Sequence, residues 1–317
     1  MNSQDFFTNR KIVVSLAVLC CLLWGSAFPA IKNGYALFEI AAHDIPGKLV
    51  FAGVRFFISG LLLLLIAAAM NKPLGGLSVK NLGELGLLGL TQTALQYAFF
   101  YIGLAYTTGV KGSILNATST FFSVLLAHVI YRNDRLSTGR TLGCLIGFAG
   151  VVIINFSKDL RDFDFTLLGD GSIVMTSFIF SAASIYGKRL SQKMDSIVMT
   201  GYQLSIGGLA LTVAGYATGG ELTNFTAAST SMLVYLILCS SAAFGLWSIL
   251  LKYNRVSVVA VFNFLIPVFG SMLSAIFLNE NILEWKNALA LIFVCYGIWL
   301  VTQEKEKAGV PAASSKT

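Results

Sequence analysis

The chain has 317 residues, 56% of them hydrophobic and only 12% charged, with a mean hydropathy of +0.76 and a formal charge of +7. That balance excludes a soluble globular domain and fits a chain that crosses a bilayer many times. The positive charge does not mark a nucleic-acid surface, because it sorts by side of the membrane rather than clustering on one segment.

Ten apolar stretches are each long enough to span as a helix: 12–31, 48–70, 82–105, 110–131, 138–156, 169–189, 197–218, 231–252, 256–278 and 285–302. The expected fold is therefore an all-α integral membrane protein with ten transmembrane helices. With the N-terminus inside, 15 of the 22 Lys and Arg fall on the inner side and 7 on the outer. The positive-inside rule then puts both termini in the cytoplasm. The plasma membrane, the inner membrane of a bacterium, is the expected location.

Residues 1–11 read as a cytoplasmic tail. Arg10 and Lys11 precede an apolar run, but no small-residue cleavage site follows, so the segment is expected to stay attached. The first span ends in WGSAFPAIK. There Pro29 lacks a backbone N–H and frees the carbonyl of Gly25, which makes it a candidate hinge beside Trp24. Residues 33–47 read as a long outer connection with His43 as a solvated loop residue. Arg55, about a turn inside span two, is expected to snorkel to the outer interface.

Span three carries Gln92 and Gln96 on one face, with Tyr97 and Tyr101 beside them. Amides inside lipid need partners, so interhelical hydrogen bonding and pore lining are both open. Span four has a small, polar stripe through Gly112, Asn116, Ser119 or Thr120, Ser123 and Ala127, which either approaches another helix or lines a water path. His128 near its inner end reads as structural. Span five bears Gly139, Gly143, Gly147 and Gly150 on one ridge, suited to packing on a neighbour or on a second copy through helix 138–156 as a homodimer. The charged stretch 158–168 links five spans on each side.

In the second half, span six carries Ser181, Ser184 and Tyr186, span seven Gln203 and span eight Phe244 and Trp247. Span nine sets Asn263 one turn before Pro267, so a freed backbone oxygen lies beside a side-chain amide in an apolar run. The segment after Gln303, 303–317, reads as a disordered cytoplasmic tail. The five cysteines all fall in spans, without metal spacing, and read as packing residues. Short sequons occur at Asn155 and Asn224.

The halves echo each other. A shift of 147 residues lays Asn116 on Asn263, Tyr106 on Tyr253, Gly150 on Gly297 and Thr120 on Pro267. A threonine hydroxyl can bond back to the carbonyl four residues earlier, so both halves carry a polar distortion at one depth. Asp134 meets Glu280 after a one-residue slip, and Trp24 to Lys32 lie over Phe180 to Lys188. Five spans per repeat is odd, so the second repeat enters from the opposite side. The domains are then a first repeat over 12–157 and a second over 169–302, with inverted topology.

WGSAFPAIK, GLAYTTGVKGSIL, NDRLS, GFAGVVII and NFLIPVFGSMLSAIFLNE, in that order, resemble the EamA-type drug/metabolite transporter superfamily over about residues 12–302. The resemblance implies ten helices, two inverted bundles and a central cavity lined mainly by spans one, three, four, six, eight and nine. It further implies export of amino acids, other metabolites or drugs. One departure is Thr120, where the family usually has proline.

The candidate lining residues are Trp24, Gln92, Gln96, Tyr97, Tyr101, Asn116 and Thr120 in the first half and Tyr186, Phe244, Trp247 and Asn263 in the second. Since no ionisable side chain reads as deep, the expected cargo is a small neutral or zwitterionic molecule, exported by facilitated transport or exchange. No cofactor, metal or nucleic-acid partner is expected; substrate and lipid are. The chain carries no HExxH, GxSxG or Walker motif, which argues against an enzyme or an ATP-driven pump. A channel or a non-transporting interaction protein is the alternative.

Overall fold

A computed structural model describes residues 3–41, 43–107, 109–154, 165–277 and 285–303. The sequon at Asn155, most of the linker, Glu280 and the tail beyond Gln303 lie outside them. Among the described residues the secondary structure is helical throughout, with no strand. Six helices are long and apolar enough to cross a membrane: Arg10–Leu37, Ile45–Ala69, Leu167–Ser191, Ser196–Ala217, Ala227–Tyr253 and Val256–Ser274. Ile114–Ile130, Thr138–Ile153 and Ala288–Gln303 are shorter apolar helices.

After a short α1 (Ser3–Thr8), α2 runs Arg10–Leu37, started by the side chain of Asn9, which accepts from the Lys11 N–H at 3.0 Å. It passes Pro29 without interruption and continues beyond Lys32. The connection expected over 33–47 thus shrinks to the few residues before α3 (Ile45–Ala69), turning at Glu39 with φ 58°. Asp44 caps α3 by accepting from Gly47 N–H at 2.8 Å.

Three of the predicted spans are not single α-helices. The third is α4 (Val79–Gly89), a π turn (Leu90–Leu95) and α5 (Gln96–Tyr106). The fourth breaks at Ala117 between α6 (Gly109–Asn116) and α7 (Thr118–Ile130). The ninth is α12 (Val256–Ala260), a 3₁₀ turn (Val261–Phe264) and α13 (Leu265–Phe277). Pro267 therefore sits in the first turn of α13, where a missing N–H costs little. The remaining spans are α8 (Thr138–Ile154), α9 (Ser172–Ser191) opened by a π turn, α10 (Ser196–Ala217), α11 (Ala227–Tyr253) and α14 (Trp285–Gln303).

Helices in lipid gain little from burying apolar surface against one another, so close backbone approach and hydrogen bonds hold them. α3 and α10 touch backbone to backbone: a Cβ on Gly53 would lie 2.4 Å from the Thr212 nitrogen, and one on Gly60 the same distance from that of Ser205. α8 and α14 do likewise. A Cβ on Gly143 would lie 2.7 Å from the Gly297 carbonyl oxygen, and Gly147 and Gly150 face Phe264 and Val294. The ridge from Gly143 to Gly150 thus packs on this chain's own residues. Between these pairs, α2 packs on α11 and α13, and α9 packs on α5 and α7.

Candidate functional site

The broken helices expose backbone oxygens, and neighbouring helices answer them. At the α6–α7 break, Ser177 of α9 donates to the carbonyls of Leu115 (3.3 Å) and Asn116 (3.2 Å). At the span-nine break, Cys21 of α2 donates to the Phe262 carbonyl (3.1 Å) and Thr120 of α7 to that of Ala260 (3.3 Å). Thr120 therefore braces the opposite half rather than bonding back to Asn116. Its hydroxyl is fully buried there, away from the cavity.

Beside the two breaks lies a cavity of about 310 Å³, a size suited to a small molecule. Of the expected lining residues, Trp24, Gln96, Tyr97, Tyr101, Asn116, Phe244 and Asn263 surround it. Trp24 meets Phe244 edge-on with centroids 5.4 Å apart, and Tyr97 leans on Phe56 at 4.5 Å. The cavity runs from this aromatic floor towards Lys32, Tyr35 and Lys48 at one end of the bundle.

Four expected residues lie off this lining. Gln92 donates to the Ser184 hydroxyl at 3.2 Å and ties α9 to the π turn. Thr120 is the brace just described. Trp247 is buried behind Trp24, ring to ring at 5.0 Å. Tyr186 packs on the cluster of Leu85, Leu88 and Met199.

Arg55 overturns two expectations. It does not reach an interface: only 3% exposed, it lines the cavity with its guanidinium 4.2 Å above the Phe56 ring. It also brings span two into a lining expected from other spans, and it makes the site charged. No Asp or Glu lines the cavity among the described residues. Tyr35, Phe100, Phe180, Cys239 and Ser240 are further lining residues not singled out as such, and on the span-four stripe Ser119 rather than Thr120 faces the cavity. Of these, Phe180 lay under the echo of Trp24 and Phe100 under that of Trp247. Cys239, read as packing, also donates to the Leu23 carbonyl at 3.0 Å, whereas Cys295 is exposed on α14.

Four buried polar atoms of this lining have no hydrogen-bond partner among the described residues, Trp24 Nε1, Arg55 Nε, Gln96 Oε1 and Asn263 Oδ1, while the Tyr35 and Tyr101 hydroxyls meet each other. Buried polar atoms are ordinarily paired, so this concentration marks a surface built to meet a polar molecule.

The opposite end of the bundle is closed. Lys188 of α9 donates to the carbonyls of Leu251 (2.7 Å) and Asn254 at the end of α11. Asp134, 2% exposed, pairs with Arg140 at 2.9 Å and accepts from the Ser257 N–H at 3.1 Å and from its hydroxyl. The loop after α7 is thereby fastened to the start of α12. The Asn254 amide donates to the Phe7 carbonyl at 2.9 Å.

An apolar helical bundle with a largely apolar cavity carrying a few polar groups, running to one end and fastened at the other, fits a multi-pass membrane transport protein. The chain belongs to the EamA-like transporter family, which matches twice, over residues 11–156 and 167–303. An uncharacterized transporter of Archaeoglobus fulgidus is 28% identical over 94% of this chain and 100% of its own length. An uncharacterized transporter of Bacillus subtilis, YvbV, is also 28% identical, over 94% of this chain and 93% of its own. A crystal structure shares the fold, with a TM-score of 0.75 at 17% identity over 93% of this chain and 97% of that one.

Proposed function

We propose that this chain is a secondary transporter of ten transmembrane passes, built from two inverted five-helix repeats, that exports a small amphiphilic molecule by alternating access. Both termini lie in the cytoplasm of a plasma membrane, and the Lys32 end of the cavity faces outward, as the distribution of Lys and Arg favours.

One observation carries the reading. Under the shifts of 147 and 156 residues, four pairs of cavity residues fall on one another: Trp24 with Phe180, Tyr97 with Phe244, Asn116 with Asn263, and Ser119 with Ile266. Such pairs suit a central site shared by both halves. The bonds at the helix breaks follow the same shifts, since Cys21 to Phe262 corresponds to Ser177 to Leu115. The helix contacts do too. α2 on α13 corresponds to α9 on α7, and α2 on α11 to α9 on α5, while α3 with α10 and α8 with α14 are self-equivalent.

Other lining residues have their equivalents at the fastened end. Phe28, Phe100 and Cys239 correspond to Ser184, Trp247 and Gln92. Two residues expected in the lining and absent from it would therefore join it when the halves exchange shapes. Lys32 corresponds to Lys188, and Leu104 and Thr107 to the residues whose carbonyls Lys188 holds. In the opposite state Lys32 closes the mouth on Leu104 and Thr107, and Lys188 lets go.

The test needs no substrate. Lys32→Cys and Leu104→Cys are oxidised to lock the mouth, with Cys239→Ala and Cys295→Ser in the background. Ser184→Cys, at a position now 4% exposed, is then labelled with an impermeant maleimide. Locking should raise labelling severalfold, and reduction should reverse it. Unchanged labelling with the lock formed would reject alternating access.

A further inference from the structure

We propose that the Arg55 guanidinium receives a carboxylate on the transported molecule, so that the cargo is a small acid with an apolar or aromatic body. The inference rests on the transporter reading above for its direction of use, but the site stands on its own geometry. Arg55 is nine-tenths buried and lines the cavity, and its Nε has no hydrogen-bond partner.

An isolated cation inside a membrane protein is strongly disfavoured unless an anion or a water-filled space faces it. Among the described residues the lining supplies no acidic side chain, and Lys32 adds positive charge towards the mouth. The Phe56 ring, its centroid 4.2 Å from Arg55 Cζ, holds the guanidinium beside the cavity through a cation–π contact. A guanidinium edge presents paired N–H donors that match the two oxygens of a carboxylate.

The floor opposite the mouth is aromatic, made by Trp24, Tyr97, Phe100 and Phe244, with Trp24 on Phe244 and Tyr97 on Phe100 meeting edge to face. An acid with an aromatic or short aliphatic body would place its head at Arg55 and its body on these rings. The carbonyl oxygens of Gln96 and Asn263, buried without partners, are left for a hydrogen-bond donor on the cargo. Outward movement of such an anion runs down the inside-negative membrane potential, which would drive export without a coupled ion.

The test measures binding of radiolabelled 3-phenylpropionate and its neutral amide, 3-phenylpropionamide, to the purified full chain in detergent. The wild type should prefer the acid by about tenfold or more, the margin a charge-assisted bidentate pair provides. Arg55→Gln should bring the two to within about twofold while keeping affinity for the amide, and Arg55→Lys should restore part of the preference. Should Arg55→Gln fail to fold, the wild type decides by pH: its preference must fade as the acid protonates. No preference in the wild type, preference surviving in Arg55→Gln, no binding of either probe, or tighter binding of phenyl phosphate would each overturn the carboxylate site. Flux in proteoliposomes separates the two readings. Acid-selective binding without flux keeps the site and rejects the transporter. Flux of the amide and acid alike keeps the transporter and rejects the site.

Discussion

Lys32 and Lys188 occupy equivalent places under the repeat, yet they live in opposite circumstances. Lys32 is exposed and lines the mouth of the cavity, whereas Lys188 is held by two carbonyls at the end of α11. The crossings beneath them differ as well. Where α2 meets α13, Gly25 lies against Phe269 and Gly270 with no room for a side chain. At the equivalent crossing of α9 and α7, Ser181 accepts from Ser123 at 3.0 Å and donates to the Ser119 carbonyl at 2.8 Å. One crossing is thus held by polar bonds and the other by close packing. Under the proposed repeat the two crossings occupy equivalent places and differ in chemistry.

The largest expected effect breaks the fastened end. Asp134→Ala leaves Arg140 in a nearly dry site without its carboxylate, which should cost about 3–5 kcal/mol in unfolding measured in detergent. Lys32→Ala, at the other end, should change stability by less than about 0.5 kcal/mol. Similar losses for both would erase the difference between the ends.

A smaller effect is expected from Lys188→Met. Removing two charge-assisted hydrogen bonds should tilt the conformational balance by about 2 kcal/mol, roughly thirtyfold, towards the state open at that end. Labelling of Ser184→Cys by maleimide reads this directly. An unaltered labelling rate would mean that Lys188 does not hold the end shut.

A last pair of substitutions sharpens the contrast between the crossings. A Cβ at Gly25 would stand 2.6 Å from the Phe269 Cβ, so Gly25→Ala should cost about 2 kcal/mol through forced separation. Ser181→Ala loses only net hydrogen-bond energy, about 1 kcal/mol. Unfolding in detergent compares the two, and a larger loss at Ser181 would reverse the assignment of which crossing depends on packing.

Much of the site was legible because polar atoms in apolar runs are energetically conspicuous. Asn116 and Asn263 stood out for that reason, and both fall at helix breaks beside the cavity. Gln92 and Gln96 could not be separated on spacing, and the structure gives them different partners, Ser184 for one and the cavity for the other. Arg55 was misread because a guanidinium near a helix end reaches either the interface or an inner face. Its neighbours on other helices, Phe56 apart, decide which, and their positions are not written in the local sequence.

By itself the sequence determined the apolar character, the two echoing halves and the polar positions Asn116 and Asn263 at which spans four and nine break, because these follow from local composition. Only the tertiary structure decided which face of each helix meets protein and which meets lipid. A lipid tail and a leucine are equally apolar, so hydrophobic periodicity carries little of that information. Backbone contact through Gly53, Gly60 and Gly143, the lysine that fastens one end, and the arginine that charges the cavity all depend on partners far away along the chain.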